Sequence, residues 1–462
     1  MTCEGRLELD PAHRYHLMGV GGVGMSGLAG ILAERGFRVS GSDNRDSDTL
    51  QRLRDLGVTI VLGQVREGAT GADVVVVSTA IRPDNPELVG AHERGQPVYH
   101  RSQLLAAVMD GQRKIAVSGT HGKTTTTALL GQTLVECGLD PTVIVGGDVP
   151  ALGGNYRLGS EPLVVFEACE SDGTFLRYGP CSELITNLEP DHLDQHGTYE
   201  NLCHTFEEFV GLVPDGGFLA YGCESPELAA MAAGAPGHHI PFGLGEGAVL
   251  GATDIQLDRF GVDFRVLGEG DEGPTVCLNI PGRHNVLNAL GVLAAARELG
   301  VPLEQAAAAL SAFHGVERRF ELLGSFGDAL VVDDYAHHPT EVAAALVAAR
   351  EGFDRRLIAV FQPHLFSRTR DFLDDFARAL IAADVVIVTD IYAAREDPIP
   401  GVTAEGIADR VRELAPDRPV EYVHDKDDII AALGRIAQPG DLILALGAGD
   451  IRRVAEKLAQ EG

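Results

Sequence analysis

Short apolar runs bounded by glycine turns alternate along this chain with longer Ala/Leu-rich stretches of helical period, the pattern of an α/β protein. Tyr15–Gly19 reads as a strand, followed by a glycine turn, a helix over Met25–Arg35 and a strand over Phe37–Gly41. Four consecutive valines, Val74–Val77, predict a parallel strand buried on both faces. A helix over Leu104–Met109 and a polar turn over Asp110–Lys114 close this section. Strand Ile115–Val117 then enters a second glycine-containing loop, and a helix runs from Thr124 to about Cys137. Leu163–Phe166 and Leu184–Ile185 are further core strands, ending in Glu167 and in Thr186-Asn187. The Gly/Pro-rich patch over 234–251 reads as loops or an embellishment, and Ala289–Leu299 and Leu303–Phe313 as helices. Beyond Glu321 the strands Leu330–Val332, Leu357–Phe361, Val385–Val388 and Leu442–Leu446 alternate with amphipathic helices. The pattern predicts three α/β domains, over 1–110, 111–321 and 322–462, with mainly parallel sheets.

Composition narrows the picture. With 45% apolar and 23% charged residues the chain is an ordinary globular protein, and no stretch of 18 apolar residues predicts a membrane span. Met1-Thr2-Cys3-Glu4-Gly5-Arg6 lacks the features of a secretory signal. Seven scattered cysteines (3, 137, 169, 181, 203, 223, 277) form no Cys-x-x-Cys pair, which argues against a disulfide framework or structural zinc and for a cytoplasmic setting. The net charge of −30 opposes encounter with nucleic acid or an anionic membrane. Small phosphate ligands remain open to it, because backbone N–H groups and a few placed cations can hold them.

The strongest chemical signal is Gly119-Thr120-His121-Gly122-Lys123-Thr124-Thr125, set between a strand and a helix. A phosphate chain needs unobstructed N–H donors, a helix N-terminus and one cation. Gly119 and Gly122 supply the open backbone, Lys123 the charge, and Thr124 a hydroxyl suited to Mg²⁺. The spacing departs from the usual P-loop, since Val117 stands where a further glycine is expected. Glu167 ends a nearby strand and Glu170 follows it, hard oxygen donors of the kind Mg²⁺ takes. The segment Thr186–Asp194, with His192, reads as a second metal or phosphate locus. Near the N-terminus, Gly19-Val20-Gly21-Gly22-Val23-Gly24 fits Gly-x-Gly-x-x-Gly, and Asp43 ends the next strand in place for a ribose hydroxyl. That Rossmann-like fingerprint admits NAD or a UDP-sugar alike. In the third section Asp333–Pro339, with His337 and His338, and Phe361–Arg368, with His364, follow strands at the crevice where open α/β sheets bind ligands.

Taken together these motifs resemble the Mur ligase superfamily. The matching stretches are Gly19–Gly27, Gly119–Thr126, Thr186–Asp194, Gly282–Ala289, Gly315–Phe320, Asp333–Pro339 and Phe361–Arg370, which run in order along nearly the whole chain. The resemblance implies an N-terminal Rossmann-like domain for a UDP-sugar, a central P-loop domain for ATP and a C-terminal Rossmann-like domain for an amino acid. It implies UDP-N-acetylmuramate and L-alanine as substrates, joined through an acyl phosphate, with a monomer or homodimer as the working form. Gly21, Gly22, Val23, Gly24, Met25, Ser26 and Asp43 would meet the UDP-sugar. Lys123, with Mg²⁺ on Thr124, Glu167 or Glu170, and His192, would meet the phosphates together with Arg319. Asn285 and Asn288 would contact adenine, Asp334 the ribose region, and His364 and Arg368 the alanine. A histidine among His337, His338 and His364 could deprotonate the amine. The chain departs from the family pattern at Cys169, where an Asp is expected, and at Leu365, where Arg is frequent. No Lys lies in 195–210 to become the carbamylated lysine of several sister ligases. Three rivals remain: a ligase recycling murein tripeptide onto the same UDP-sugar, a nucleotide-switch or transport ATPase, and a nicotinamide-dependent dehydrogenase, which leaves the Lys123 loop unexplained.

Overall fold

A computed structural model describes residues 5–268, 271–394 and 396–460, so Met1–Glu4, Cys3 among them, lie outside the described residues. The chain divides into two compact units. One holds the chain up to Gly251 together with Asn288–Ala309, and the other holds Ala252–Leu287 and Leu310 onward.

The first unit contains two sheets. β1 (Arg14–Met18), β2 (Arg38–Asp43), β3 (Thr59–Leu62), β4 (Val74–Val77) and β5 (Val98–His100) are all parallel, in the order β3-β2-β1-β4-β5. The order reverses at β1, which places a ligand crevice at the carboxyl ends of β1 and β4. Helices α1 (Val23–Glu34), α2 (Asp48–Asp55) and α3 (Pro86–Glu93) lie between these strands, and α4 (Arg101–Val108) follows β5. The second sheet comprises β6 (Arg113–Ser118), β7 (Thr142–Val149), β8 (Gly154–Arg157), β9 (Leu163–Glu167), β10 (Ser182–Ile185), β11 (Phe218–Gly222) and β12 (His238–Phe242). Their order is β12-β11-β10-β6-β9-β7-β8, antiparallel at β7–β8, and α5 (Lys123–Glu136) follows β6. One buried cluster joins Tyr15 and Leu28 to Phe166, Phe175 and Phe206, and Phe175 stacks on Phe209 at 4.2 Å.

The patch over 234–251 corrects its reading as loops. β12 lies inside it, paired with β11 from Phe218↔His238 to Gly222↔Phe242, and β13 (Leu250–Leu257) begins there with Leu250 beside Phe242. Only Ile240 and Phe242 alternate into the core, too short a period to stand out between Gly237 and Gly243. In the second unit β14 (Val262–Gly268) and β15 (Asp271–Leu278) form an antiparallel hairpin. Its other sheet has β16 (Glu321–Phe326), β17 (Ala329–Asp334), β18 (Leu357–Phe361), β19 (Val385–Thr389), β20 (Val420–Val423) and β21 (Leu442–Leu446) in the order β16-β17-β21-β18-β19-β20. All but β16 run parallel. Among the described residues no helix is long and apolar enough to cross a membrane.

Glu183 is out of keeping with its place. It sits mid-strand on β10 between Ala116 and Leu219, fully buried, and among the described residues neither carboxyl oxygen has a hydrogen-bond partner. Burial therefore pushes its carboxyl well above the usual range and keeps it protonated. As pH rises past the ordinary glutamate range the unfolded chain ionises while the folded one does not, so this group's share of stability is lost. Glu183→Gln, neutral at every pH, is expected to gain on wild type in urea-unfolding midpoint as pH rises from 5 to 8. A pH-independent difference would sink this account.

Candidate functional site

β6 delivers the chain into the Gly119–Gly122 turn, and α5 leaves it at Lys123. Gly119 has φ +126°, and a Cβ there would lie 2.2 Å from Thr186 Oγ1 and about 3 Å from the Asn187 backbone. Gly122 has φ +80°, with a Cβ position 2.7 Å from Asn288 Oδ1. The segment after β10 braces the turn. Thr120 N–H donates to Asn187 O (3.1 Å), His121 N–H to Asn187 Oδ1 (2.8 Å), and Asn187 Nδ2 to His121 O (3.1 Å). Thr186 Oγ1 donates to His121 O at 2.5 Å, and Glu189 N–H to Thr120 Oγ1 at 2.9 Å. The stretch read as a second metal or phosphate locus thus has two parts. Thr186–Glu189 is scaffold for the loop, and Asp191-His192 faces its charged groups.

Lys123 Nζ donates to Gly119 O (2.6 Å) and Thr120 O (2.9 Å) and pairs with buried Glu170 at 2.9 Å. Burial pulls the ammonium down, but Glu170, Cys169 and Glu167 outweigh it and hold Lys123 above its usual value, fully charged. His192 Nε2 stands 3.6 Å from Glu170 Oε1 and from Asp191 Oδ2, on a backbone with φ +53°. Glu167 has a different set of partners: Oε1 accepts from Thr124 Oγ1 (3.2 Å) and Oε2 from Gly146 N–H (2.8 Å). The two carboxylates therefore divide, Glu170 beside the lysine and Glu167 beside the threonine hydroxyl. The Cys169 thiol is pushed up by burial and by Glu170, and donates to Ser171 Oγ at 3.2 Å. Among the described residues no three His, Cys, Asp or Glu side chains gather as a metal cage.

In the N-terminal sheet Gly19 N–H and Val20 N–H both donate to Ser42 O, and Gly21 N–H donates to Asp43 Oδ2 at 3.0 Å. Arg45 N–H takes the other Asp43 oxygen at 3.2 Å, so the carboxylate expected to meet a ribose hydroxyl here braces the glycine turn. Below it a buried set, His16 Nε2–Glu87 Oε1 at 2.9 Å and Ser42 Oγ–Glu87 Oε2 at 2.5 Å, fixes the end of β2. Gly22 is the N-cap of α1 and offers no side chain, leaving the helix N-terminus for an anion. Val23, Gly24, Met25 and Ser26 form that first turn. Arg101 at the start of α4 was not foreseen; its Nη1 lies 2.8 Å from where a Gly24 Cβ would be. The available signal was a lone cation directly after a strand in an acidic chain.

The second unit gathers Arg318, Arg319, Tyr335, His337 and His364. The two guanidinium carbons lie 4.7 Å (Arg318) and 5.3 Å (Arg319) from the Tyr335 ring centroid. The His337 ring is 5.6 Å from His364, which stacks on Tyr392 at 5.8 Å. Asp334 accepts from Phe320 N–H (2.8 Å) and Ala336 N–H (2.7 Å); burial pushes it up to about 6, against the pull of Arg319. His338 caps the helix Pro339–Gly352, its Nδ1 accepting from Thr340 N–H, and its ring rests 4.9 Å from Phe372. His284 is buried and pushed down to about 4 by burial and by Arg319, hence neutral at pH 7. Asn285 Nδ2 donates to Pro281 O at 2.7 Å. Leu365 is buried at φ +69° and Arg368 is buried on the helix Phe366–Asp371. Tyr392 and Glu396, the latter accepting from Ser367 Oγ at 2.5 Å, were missed because no strand-end cluster marks them.

A parallel nucleotide-type sheet, a phosphate loop and a histidine–arginine cluster at a third sheet define a multidomain nucleotide-dependent enzyme. Three family profiles match in sequence order: the Mur ligase family catalytic domain over 14–113, the Mur ligase middle domain over 117–296, and the glutamate ligase domain over 318–449. The chain belongs to the Mur ligase family. It is 46% identical over 439 residues to the UDP-N-acetylmuramate–L-alanine ligase of Sorangium cellulosum, covering 94% of this chain and 93% of that one. Its fold superimposes on the UDP-N-acetylmuramate–alanine ligase of Thermotoga maritima with TM-score 0.83 and 29% identity, over 97% and 98% of the two chains. The murein peptide ligase of Psychrobacter arcticus gives TM-score 0.74 and 28% identity over the same shares.

The loop geometry makes a direct test. Gly119→Ala is expected to weaken ATP binding at least about tenfold and destabilise by roughly 1–3 kcal/mol, through clash as well as backbone strain. Gly111→Ala, also at positive φ but facing open space, should cost about 1 kcal/mol and leave ATP binding alone. Calorimetric titration and urea unfolding of both variants read this out; equal effects would refute the close-approach argument.

Proposed function

We propose that this chain joins L-alanine to the lactyl carboxylate of UDP-N-acetylmuramate with ATP, a step in peptidoglycan precursor synthesis. The observation that carries the reading is the near-full-length likeness to a relative named for that reaction. An amide forms in water only from an activated acyl group. The carboxylate takes the γ-phosphoryl group of ATP, the alanine amine attacks the acyl phosphate carbon, and the tetrahedral adduct collapses to amide and phosphate. The enzyme's part in such a transfer is positioning and charge neutralisation.

Residues 1–110 are assigned to the UDP-sugar, 111–321 to ATP and 322–462 to L-alanine. The uncapped start of α1 and Arg101 suit a diphosphate. Lys123 suits the β- and γ-phosphates, held in register by Glu170. Thr124 and Glu167 present adjacent hard oxygens, which fits Mg²⁺, an ion that keeps several waters and takes few protein ligands. When bound, the ion would neutralise phosphate charge, with His192 the further candidate donor. Asn288, against Gly122, and Asn285 are assigned to the adenine side. Asp334 is read as positioning Arg319 through the Phe320 backbone. His338 is engaged as a helix cap, which favours His337 or His364 as the group that takes the amine proton, with Arg368 as partner for the alanine carboxylate.

A second reading, transfer of a murein tripeptide, is favoured by the fold's likeness to a murein peptide ligase. Phosphate release with ATP, Mg²⁺ and UDP-N-acetylmuramate should respond to L-alanine and not to tripeptide; the reverse result would replace the substrate. Lys123→Ala should lower turnover about 10²–10³-fold or more while UDP-sugar affinity stays near normal, since the glycine turn is separate from the phosphate loop. Loss of UDP-sugar binding in a folded Lys123→Ala protein would contradict that division.

A further inference from the structure

The glycine turn at the start of α1 does not stand on its own sheet alone. The β7–β8 hairpin of the neighbouring sheet lies along α1, and Asn155 on β8 reaches its first turn. Asn155 is 6% exposed, and its Nδ2 donates to Val23 O and, at 3.0 Å, to Ser26 Oγ. Ser26 Oγ in turn donates to Val23 O at 3.1 Å, which closes a three-membered polar set around the first carbonyl of the helix. A carbonyl can only accept, so the orientation of the Asn155 amide is dictated by Val23 O. The approach depends on glycines. A Cβ on Gly27 would sit 3.2 Å from Asn155 Nδ2, and one on Gly30 would sit 2.3 Å from Tyr156 Oη. Tyr156 Oη donates to Glu34 at the far end of the same helix (2.6 Å), and Arg52 on α2 pairs with Asp148 on β7 (2.9 Å).

The other end of this hairpin touches the phosphate machinery. Gly146 N–H on β7 donates to Glu167 Oε2, whose partner oxygen accepts from Thr124. At Gly146 a Cβ would lie 2.5 Å from the carboxylate. One hairpin thus holds both the acid beside Thr124 and the first turn of α1. We infer that Asn155 is a positioning residue for the sugar-nucleotide site: its amide fixes Val23 O and so aims the N–H groups of Val23 and Gly24, at the start of α1, at the diphosphate. The inference rests on the assignment of that turn to the UDP-sugar.

The full-length protein is titrated calorimetrically with UDP-N-acetylmuramate, with UDP and with ADP·Mg. Asn155→Ala and the similarly shaped Asn155→Leu should each weaken both uridine ligands about tenfold, the equivalent of one lost hydrogen bond, and leave ADP within about twofold. Tyr156→Phe removes the other polar contact to α1 and should leave the uridine ligands within about twofold, because it touches the last turn and not the first. Unchanged uridine binding in the two Asn155 variants overturns the inference, as does equal loss of uridine and adenine ligands, or an equal loss in Tyr156→Phe. If wild type itself takes up neither uridine ligand, the assignment of the turn has failed. If wild type binds them and the Asn155 variants bind as well, only the positioning role has.

Discussion

The molecule is organised around the close approach of backbone to backbone at Gly119. Convergent N–H donors for a phosphate chain require a turn with no side chain in its mouth. Here that turn is pressed against Thr186 and Asn187 so tightly that a single methyl group would overlap the threonine hydroxyl. The rest of the central sheet answers to this contact. β10 must lie next to β6 for Thr186 to reach the loop, and β9 must lie on the other side of β6 for Glu167 to reach Thr124. Parallel strands with helical crossovers provide both neighbours at the same, carboxyl, edge.

Charge is handled locally. A chain of net charge −30 holds Lys123 between two loop carbonyls and a buried glutamate, which fixes the ammonium without neutralising the surroundings of the whole domain. Backbone strain follows the same economy of place. Among the described residues six non-glycine residues have positive φ, and four of them, His192, Arg318, Phe320 and Leu365, fall within the motifs read as carrying the chemistry. Such conformations persist only where surrounding bonds over-determine them. At Phe320 the bond is visible: its N–H is held by Asp334, a carboxyl that burial pushes up to about 6, so the arginine pair is presented from a fixed turn.

Much of this was legible in the sequence where a local rule forces a residue type. The valine run of β4, the glycines of both turns and the acid ending β9 are each dictated within a few residues of chain. The strands of β12 and β14 were not, because their buried positions alternate with polar ones and lie among glycines and prolines. Roles that depend on distant partners were equally hidden. Arg101 and Tyr392 show their relevance only against Gly24 and His364, which lie far from them in the chain.

Composition leaves Glu167 and Glu170 on an equal footing, and geometry gives them different partners. Both acids belong to one short strip, and either could serve a metal by type. Glu170 is buried and paired with Lys123, the lysine proposed for the nucleotide phosphates. Glu167 holds a hydroxyl and a backbone N–H, which leaves further lone pairs on its two oxygens. The same oxygen pair ties the β7–β8 hairpin to the phosphate loop. Glu167, beside Thr124, is therefore also joined to the hairpin that holds α1.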